Sequence, residues 1–275
     1  MKQIPSLTLH IIVVMQIKNI SEIEKFTVAL YREKFGSYSP MGSGILIALQ
    51  DKHYLISAFH VFDLEEERLQ IENDPDEKGI PHDDLEGIYA KGINEFFCIN
   101  YDVKCLVFVT HYDEETKQPV FNEDMEWCVC RLSEEIASCL TETGKLFYII
   151  NEMKFPEVLT GSSMIVSGYP RYAQKENLAQ YRSYRAQALS NSEISNSDLV
   201  RVMFDNSNAF NYEHNRIVKL PRDGIAGMSG GGIWVEKDDK YIPIGIILKQ
   251  ESDYIEGFRL DSILYKNRNK LNIIL

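Results

Sequence analysis

Apolar residues along most of the chain come in short runs rich in Val, Ile, Leu, Phe and Tyr, broken by Gly, Asn, Asp and Pro. Such runs occupy 44–49, 53–58, 96–99, 103–110, 127–132, 146–149, 163–168, 181–188, 199–204, 215–220, 231–235, 241–248 and 257–260. About a dozen short strands without alternating helices predict a mainly β protein, a sandwich or barrels, and not βαβ units. Two segments carry a helical pattern instead. Ser21 reads as an N-cap with Glu22 and Glu24 in the first turn, and Ile23, Phe26, Leu30 and Phe35 follow at roughly helical spacing, which predicts one helix over 21–34. Residues 133–140 read as a short capped helix connecting two lobes.

Two further segments stand apart. Residues 7–15 are apolar but interrupted by His10, too short to span a bilayer as a helix, and followed by Gln16, Lys18 and Asn19 in place of a small-residue cleavage pattern. Their Ile and Val content predicts a buried strand, and the expected location is cytoplasmic. Residues 64–85, rich in Asp and Glu, read as a solvated surface insertion.

Composition narrows the classes. The chain has 275 residues, 44% hydrophobic, enough for one large domain or two small lobes sharing a cleft. A formal charge of −12 excludes a general phosphate-backbone binder, so no nucleic-acid partner is expected; Arg182, Arg185 and Arg201 read as solvated strand faces. The five cysteines show no disulfide or zinc spacing. Cys128 and Cys130, two apart in an apolar run, share a strand face as small buried hydrophobes and suit a reducing compartment. No metal, cofactor or membrane partner is expected.

Three segments carry candidate chemistry. Gly227-Met228-Ser229-Gly230-Gly231-Gly232 runs straight into the strand Ile233-Trp234-Val235. Glycines around a serine let main-chain N–H groups converge on one space, the geometry an acyl-transfer nucleophile needs for its oxyanion. In Leu55-Ile56-Ser57-Ala58-Phe59-His60-Val61 a hydrophobic strand ends at a histidine, the side chain whose pKa suits proton transfer near neutrality. Asp124 and Glu126 stand just before the apolar run at Trp127, where a carboxylate can orient an imidazole.

Together these segments resemble the chymotrypsin/trypsin-like serine peptidases. Met41-Gly42-Ser43-Gly44-Ile45-Leu46-Ile47 resembles the family's early glycine-serine-glycine strand. Ile56-Ser57-Ala58-Phe59-His60-Val61 is similar to its histidine signature, and Gly227-Met228-Ser229-Gly230-Gly231 to its Gly-x-Ser-Gly-Gly loop. The order His, acid, Ser agrees with the family, and the likeness covers roughly residues 36–260. It implies two packed six-stranded antiparallel β-barrels, 36–140 carrying His and acid and 141–275 carrying Ser, preceded by a strand–helix extension over 1–35. It also implies Ser229 as nucleophile, His60 as general base, and the N–H groups of Gly227 and Ser229 as oxyanion hole. Asp223 falls at the floor of the primary pocket, which would favour Arg or Lys in a protein or peptide substrate. Either Glu126 or Asp124 takes the third triad position. Met228 replaces the Asp that pairs with a new N-terminus in secreted digestive members. Activation by that ion pair is therefore not expected, and the enzyme is either formed ready for use or switched by a protein partner. A catalytically silent peptide-binding or regulatory module of the same fold is the alternative.

Overall fold

A computed structural model describes residues 17–34, 37–61, 88–91, 96–98, 105–106, 109–112, 119–121, 127–150, 155–175, 178–189, 198–212, 215–221, 224–251 and 253–271. The strand expected over 7–15 and the acidic insertion expected over 64–85 lie outside them.

The first half contains β1 (Thr27–Lys34), β2 (Ser37–Leu49), β3 (Lys52–Ala58), β4 (Ile88–Lys91), β5 (Phe96–Cys98), β6 (Cys105–Leu106), β7 (Val109–Tyr112), β8 (Pro119–Phe121), β9 (Trp127–Arg131) and β10 (Tyr148–Ile150). Eight of these form one sheet in the order β5-β4-β1-β2-β3-β9-β6, with β10 beside β2; β7 and β8 pair separately. The long β2 holds this sheet together. Its first part pairs antiparallel with β1, and its last residues pair antiparallel with β3 and parallel with β10. Since β10 follows residue 140, the first sheet takes strands from both sides of that position.

The second half contains β11 (Ser163–Gly168), β12 (Gln174–Lys175), β13 (Leu178–Ala179), β14 (Arg182–Ala188), β15 (Leu199–Met203), β16 (Ala209–Asn211), β17 (Arg216–Val218), β18 (Gly232–Lys237), β19 (Lys240–Gln250) and β20 (Tyr254–Arg259). Apart from the small β12-β13 pair, they form a second sheet in the order β11-β18-β19-β20-β15-β14-β16-β17. An added antiparallel pairing of β11 with β14 returns the path on itself through six strands.

The helix expected over 21–34 is corrected. Residues Ile20–Phe26 form a 3-10 helix, and Thr27–Lys34 is a strand within the first sheet. Asn19, not Ser21, caps the turn, accepting from the Ser21 N–H and closing a capping box with Glu22. The apolar pattern misled for a physical reason. Ile23 and Phe26 sit three apart, as a 3-10 turn requires, whereas Val28, Ala29, Leu30 and Tyr31 are buried in succession because both strand faces are covered. The helix expected over 133–140 is present as α1 (Glu134–Glu142), its N-cap Ser133 accepting from Ile136 N–H. A C-terminal helix, α2 (Leu260–Leu271), packs Leu260, Ile263 and Leu264 into the first core.

One apolar cluster lies on the first sheet and takes in Ile246, Leu248 and Phe258 of the second, another lies within the second half, and a third binds the two halves. In that third cluster Trp234 of β18 lies 6.3 Å from Phe26 and 6.1 Å from Tyr148, which are themselves 6.0 Å apart edge to face. Each such aromatic pair contributes roughly 0.5–1.5 kcal/mol beyond its burial. Phe258 of β20 reaches across to Trp127 of β9 at 5.9 Å.

One buried charge sits beside this seam. Lys145, 8% exposed, directs its Nζ at Glu24 O (3.1 Å), Thr27 O (2.8 Å) and the Tyr169 hydroxyl (2.8 Å). Three ammonium protons thus meet three acceptors and staple the N-terminal turn to the end of β11. Burial pushes the Lys145 pKa down from 10.5 to about 8, partly offset by Glu24. The unfolded chain keeps this proton to higher pH, so stability from this group rises as pH climbs from about 8 towards its unfolded value. Wild type should gain roughly 1–2 kcal/mol over Lys145→Met between pH 7.5 and 9.5 in urea denaturation. A constant or shrinking difference would contradict the burial.

Candidate active site

The segment 225–231 consists of two consecutive tight turns. Met228 N–H donates to Ile225 O (2.8 Å), with Gly227 at φ 91° in the third turn position. Gly231 N–H donates to Met228 O (2.8 Å), with Gly230 at φ 80° in the same position of the second turn. Negative φ followed by positive φ is the type II pattern, which calls for glycine at the third position. This is the physical reason for Gly-x-Ser-Gly-Gly: Ser229 occupies the half-buried corner between two glycine-dependent bends.

The turns fix where the amides point. Ala226 O accepts from Arg171 N–H at 2.6 Å, and the peptide between Ala226 and Gly227 is trans. The N–H and C=O of a trans peptide point in opposite directions, so Gly227 N–H faces away from Arg171. Likewise Met228 O is held by Gly231 N–H, which turns Ser229 N–H the other way. Two main-chain donors therefore leave the same loop on either side of Met228, whose own side chain is fully buried.

The loop docks on the first sheet. Ser43 N–H of β2 donates to Ser229 O (2.8 Å), and Ser43 Oγ donates to Gly227 O (3.1 Å). Ser57 Oγ of β3 donates to Ser43 O (2.7 Å). From the second sheet, Gly230 N–H donates to Ile247 O (2.7 Å) and Ile247 N–H to Gly231 O (2.8 Å). The approach is so close that a Cβ on Gly230 would stand 2.0 Å from Ser57 Oγ and 2.2 Å from Ser43 O.

His60 lies in the 3-10 turn Phe59–Val61 that follows β3, its side chain exposed at the rim. That turn borders the serine loop. A Cβ on Gly42 would meet Val61 Cγ2 at 2.6 Å and Ser229 O at 3.0 Å, and one on Gly230 would meet Ala58 N at 2.9 Å. The two expected chemical groups thus come from different sheets to one edge. Ser229, half-buried, donates its hydroxyl to Leu248 O of β19 at 3.2 Å. Glu126, Asp124 and Asp223 lie outside the described residues. β9 begins at Trp127, which pairs with Ala58, two residues before His60.

Sequence reasoning missed several participants. Ser43 stood within a recognised Gly-Ser-Gly run, but its contacts with the serine loop were not foreseen. Nothing in the local pattern pointed to Arg171 N–H, Leu248 O or the Tyr169–Lys145 pair. Cys128 and Cys130 form no disulfide and are fully buried, as small core residues should be. Among the described residues no group of His, Cys, Asp and Glu could hold a metal ion, and no helix is long and apolar enough to cross a membrane.

No family model matches the chain, and no curated protein matches it. Solved structures do. A thermostable serine protease from an extremophilic microorganism superposes with a TM-score of 0.53 at 10% identity, over 91% of this chain and 98% of that one. At such low identity the likeness is one of fold: this chain has the mainly β, antiparallel architecture of a serine protease.

Gly230→Ala tests the close docking. Steric overlap together with left-handed backbone should cost about 2–4 kcal/mol in urea denaturation. A cost within about 0.5 kcal/mol, typical of a surface site, would show that the loop does not sit against β2 and β3.

Proposed function

We propose that the chain is a serine endopeptidase that performs limited proteolysis of a protein substrate through an acyl-enzyme. One observation carries the reading: a serine on a double glycine turn, flanked by main-chain N–H groups turned away from Arg171 and Gly231, is docked against β3, whose following turn carries His60. A fold shared with a serine protease supports it.

In this reading Ser229 Oγ attacks the scissile carbonyl while His60 takes its proton. The developing oxyanion is received by Gly227 and Ser229 N–H, donors already oriented before substrate arrives. His60 then returns the proton to the leaving amine, and water, deprotonated by His60, hydrolyses the acyl-enzyme. The hydroxyl of Ser229 leaves Leu248 O for the imidazole by rotating about χ1, and Leu248 O is freed for a substrate N–H. Glu126 or Asp124 orients the imidazole; Glu126 directly precedes Trp127, the partner of Ala58, which favours it by position. Asp223 would select Arg or Lys beside the cleaved bond. Six mutually closing strands in the second sheet support a barrel there. The proposed setting is cytoplasmic, with a protein partner as candidate activator.

The hydrogen bond from Ser229 to Leu248 O gives the second reading its footing: a silent module of the same fold would keep its serine turned away from a base. Treatment of folded protein with a fluorophosphonate separates the two. Modification mapped to Ser229 alone, and abolished in Ser229→Ala, is the expected result. Folded protein that remains unmodified at Ser229 would favour the silent module.

A further inference from the structure

Ser43 is fully buried in β2, and each of its hydrogen-bonding groups is engaged around the serine loop. Its N–H holds Ser229 O, and its hydroxyl accepts from Tyr169 N–H (2.9 Å) while donating to Gly227 O (3.1 Å). The peptide joining Gly227 to Met228 is thereby fixed at both ends, by Ser43 Oγ at the carbonyl and Ile225 O at the amide. The peptide joining Ser229 to Gly230 is fixed the same way, by Ser43 N–H and Ile247 O.

Gly227 needs such a restraint. It sits at φ 91°, and glycine gives up its wide conformational freedom only where neighbours hold both flanking peptides. Of its own atoms only the carbonyl is tied to a side chain, that of Ser43. The other tether near it, Arg171 N–H on Ala226 O, fixes the peptide before it. The space around Ser43 is tight, since a Cβ on Gly168 would lie 3.0 Å from its Oγ, so the hydroxyl has little freedom to choose another partner.

We propose that Ser43 is a positioning residue for the oxyanion hole: its hydroxyl, oriented by Tyr169 N–H, locks the carbonyl of Gly227 so that the amides of Gly227 and Ser229 stay aimed at the substrate oxygen. The proposal rests on the serine-peptidase reading above. Ser43 touches no reacting atom and acts through the loop alone. A side chain aligning two donors at once should affect the rate of attack at Ser229 and not the number of competent molecules.

The test is the kinetics of fluorophosphonate labelling, whose phosphoryl oxygen requires the same donors. In Ser43→Ala the rate constant should fall at least tenfold while the final stoichiometry at Ser229 stays that of wild type. Ser167→Ala is the control. Ser167 is an equally buried serine that accepts from Trp234 Nε1, and its loss should leave the rate within about twofold. If Ser43→Ala labels at the wild-type rate, the proposal is overturned and the peptidase reading stands. If it labels at the wild-type rate but to reduced stoichiometry, Ser43 serves folding only and the proposal is again overturned. Should Ser43→Ala not fold, the same rate is read in Ser43→Cys, whose thiol fills the same place but is a weak donor and acceptor; there it must fall, and an unchanged rate overturns the proposal. Wild-type protein that does not label at all would remove the peptidase reading itself.

Discussion

Hydrogen bonding to main-chain carbonyls across the two halves of the molecule is the constraint on which the site depends. The serine loop belongs to the second sheet by sequence, yet its carbonyls at Gly227 and Ser229 are held by Ser43 of the first. At the same time Gly230 and Gly231 bond with Ile247 of β19. A loop shared in this way cannot keep its shape unless both sheets are formed and seated together. The site is therefore a property of the seam between the sheets.

The rest of the architecture serves that seating. Glycines at 42, 168 and 230 remove side chains where a Cβ would lie within about 3 Å of the other half of the molecule. The Trp234, Phe26 and Tyr148 cluster fills the seam with apolar bulk, and Lys145 ties the N-terminal turn to Tyr169 beside it. Tyr169 in turn donates its N–H to Ser43. A continuous buried path thus runs from the N-terminal turn to the peptides that follow Gly227 and Ser229. Burial makes each polar link costly to break, because an orphaned donor or acceptor costs about 1–3 kcal/mol. Rigid donors are what electrostatic stabilisation of a transition state requires, since they need not reorganise when charge develops.

How much of this was legible in the sequence follows from chain separation. The strands at 53–58, 163–168 and 241–248 declared themselves because each apolar run starts just after a turn residue, Asp51, Gly161 and Asp239 respectively. Ser229 and His60 stood out as candidates because acyl transfer would use an uncommon local context, a serine among glycines and a histidine at a strand end. The N-terminal helix was misread because a strand buried on both faces has no alternation to reveal it. The helix at Leu260 was hidden by the strand run that flows into it, although Leu260, Ile263 and Leu264 carry its spacing. The link from Ser43 to Gly227 spans 184 residues and that from Lys145 to Thr27 spans 118. Periodicity and propensity are local, so no local pattern contains such a contact.

The most direct test of this account is a crystal structure of the phosphonylated protein. The account predicts phosphorus bonded to Ser229 Oγ and the phosphoryl oxygen roughly 2.7–3.1 Å from both Gly227 N and Ser229 N. It also predicts Ser43 Oγ still on Gly227 O. A phosphoryl oxygen turned to solvent, with either amide pointing elsewhere, would contradict the claim that two sheets together hold a preformed oxyanion site.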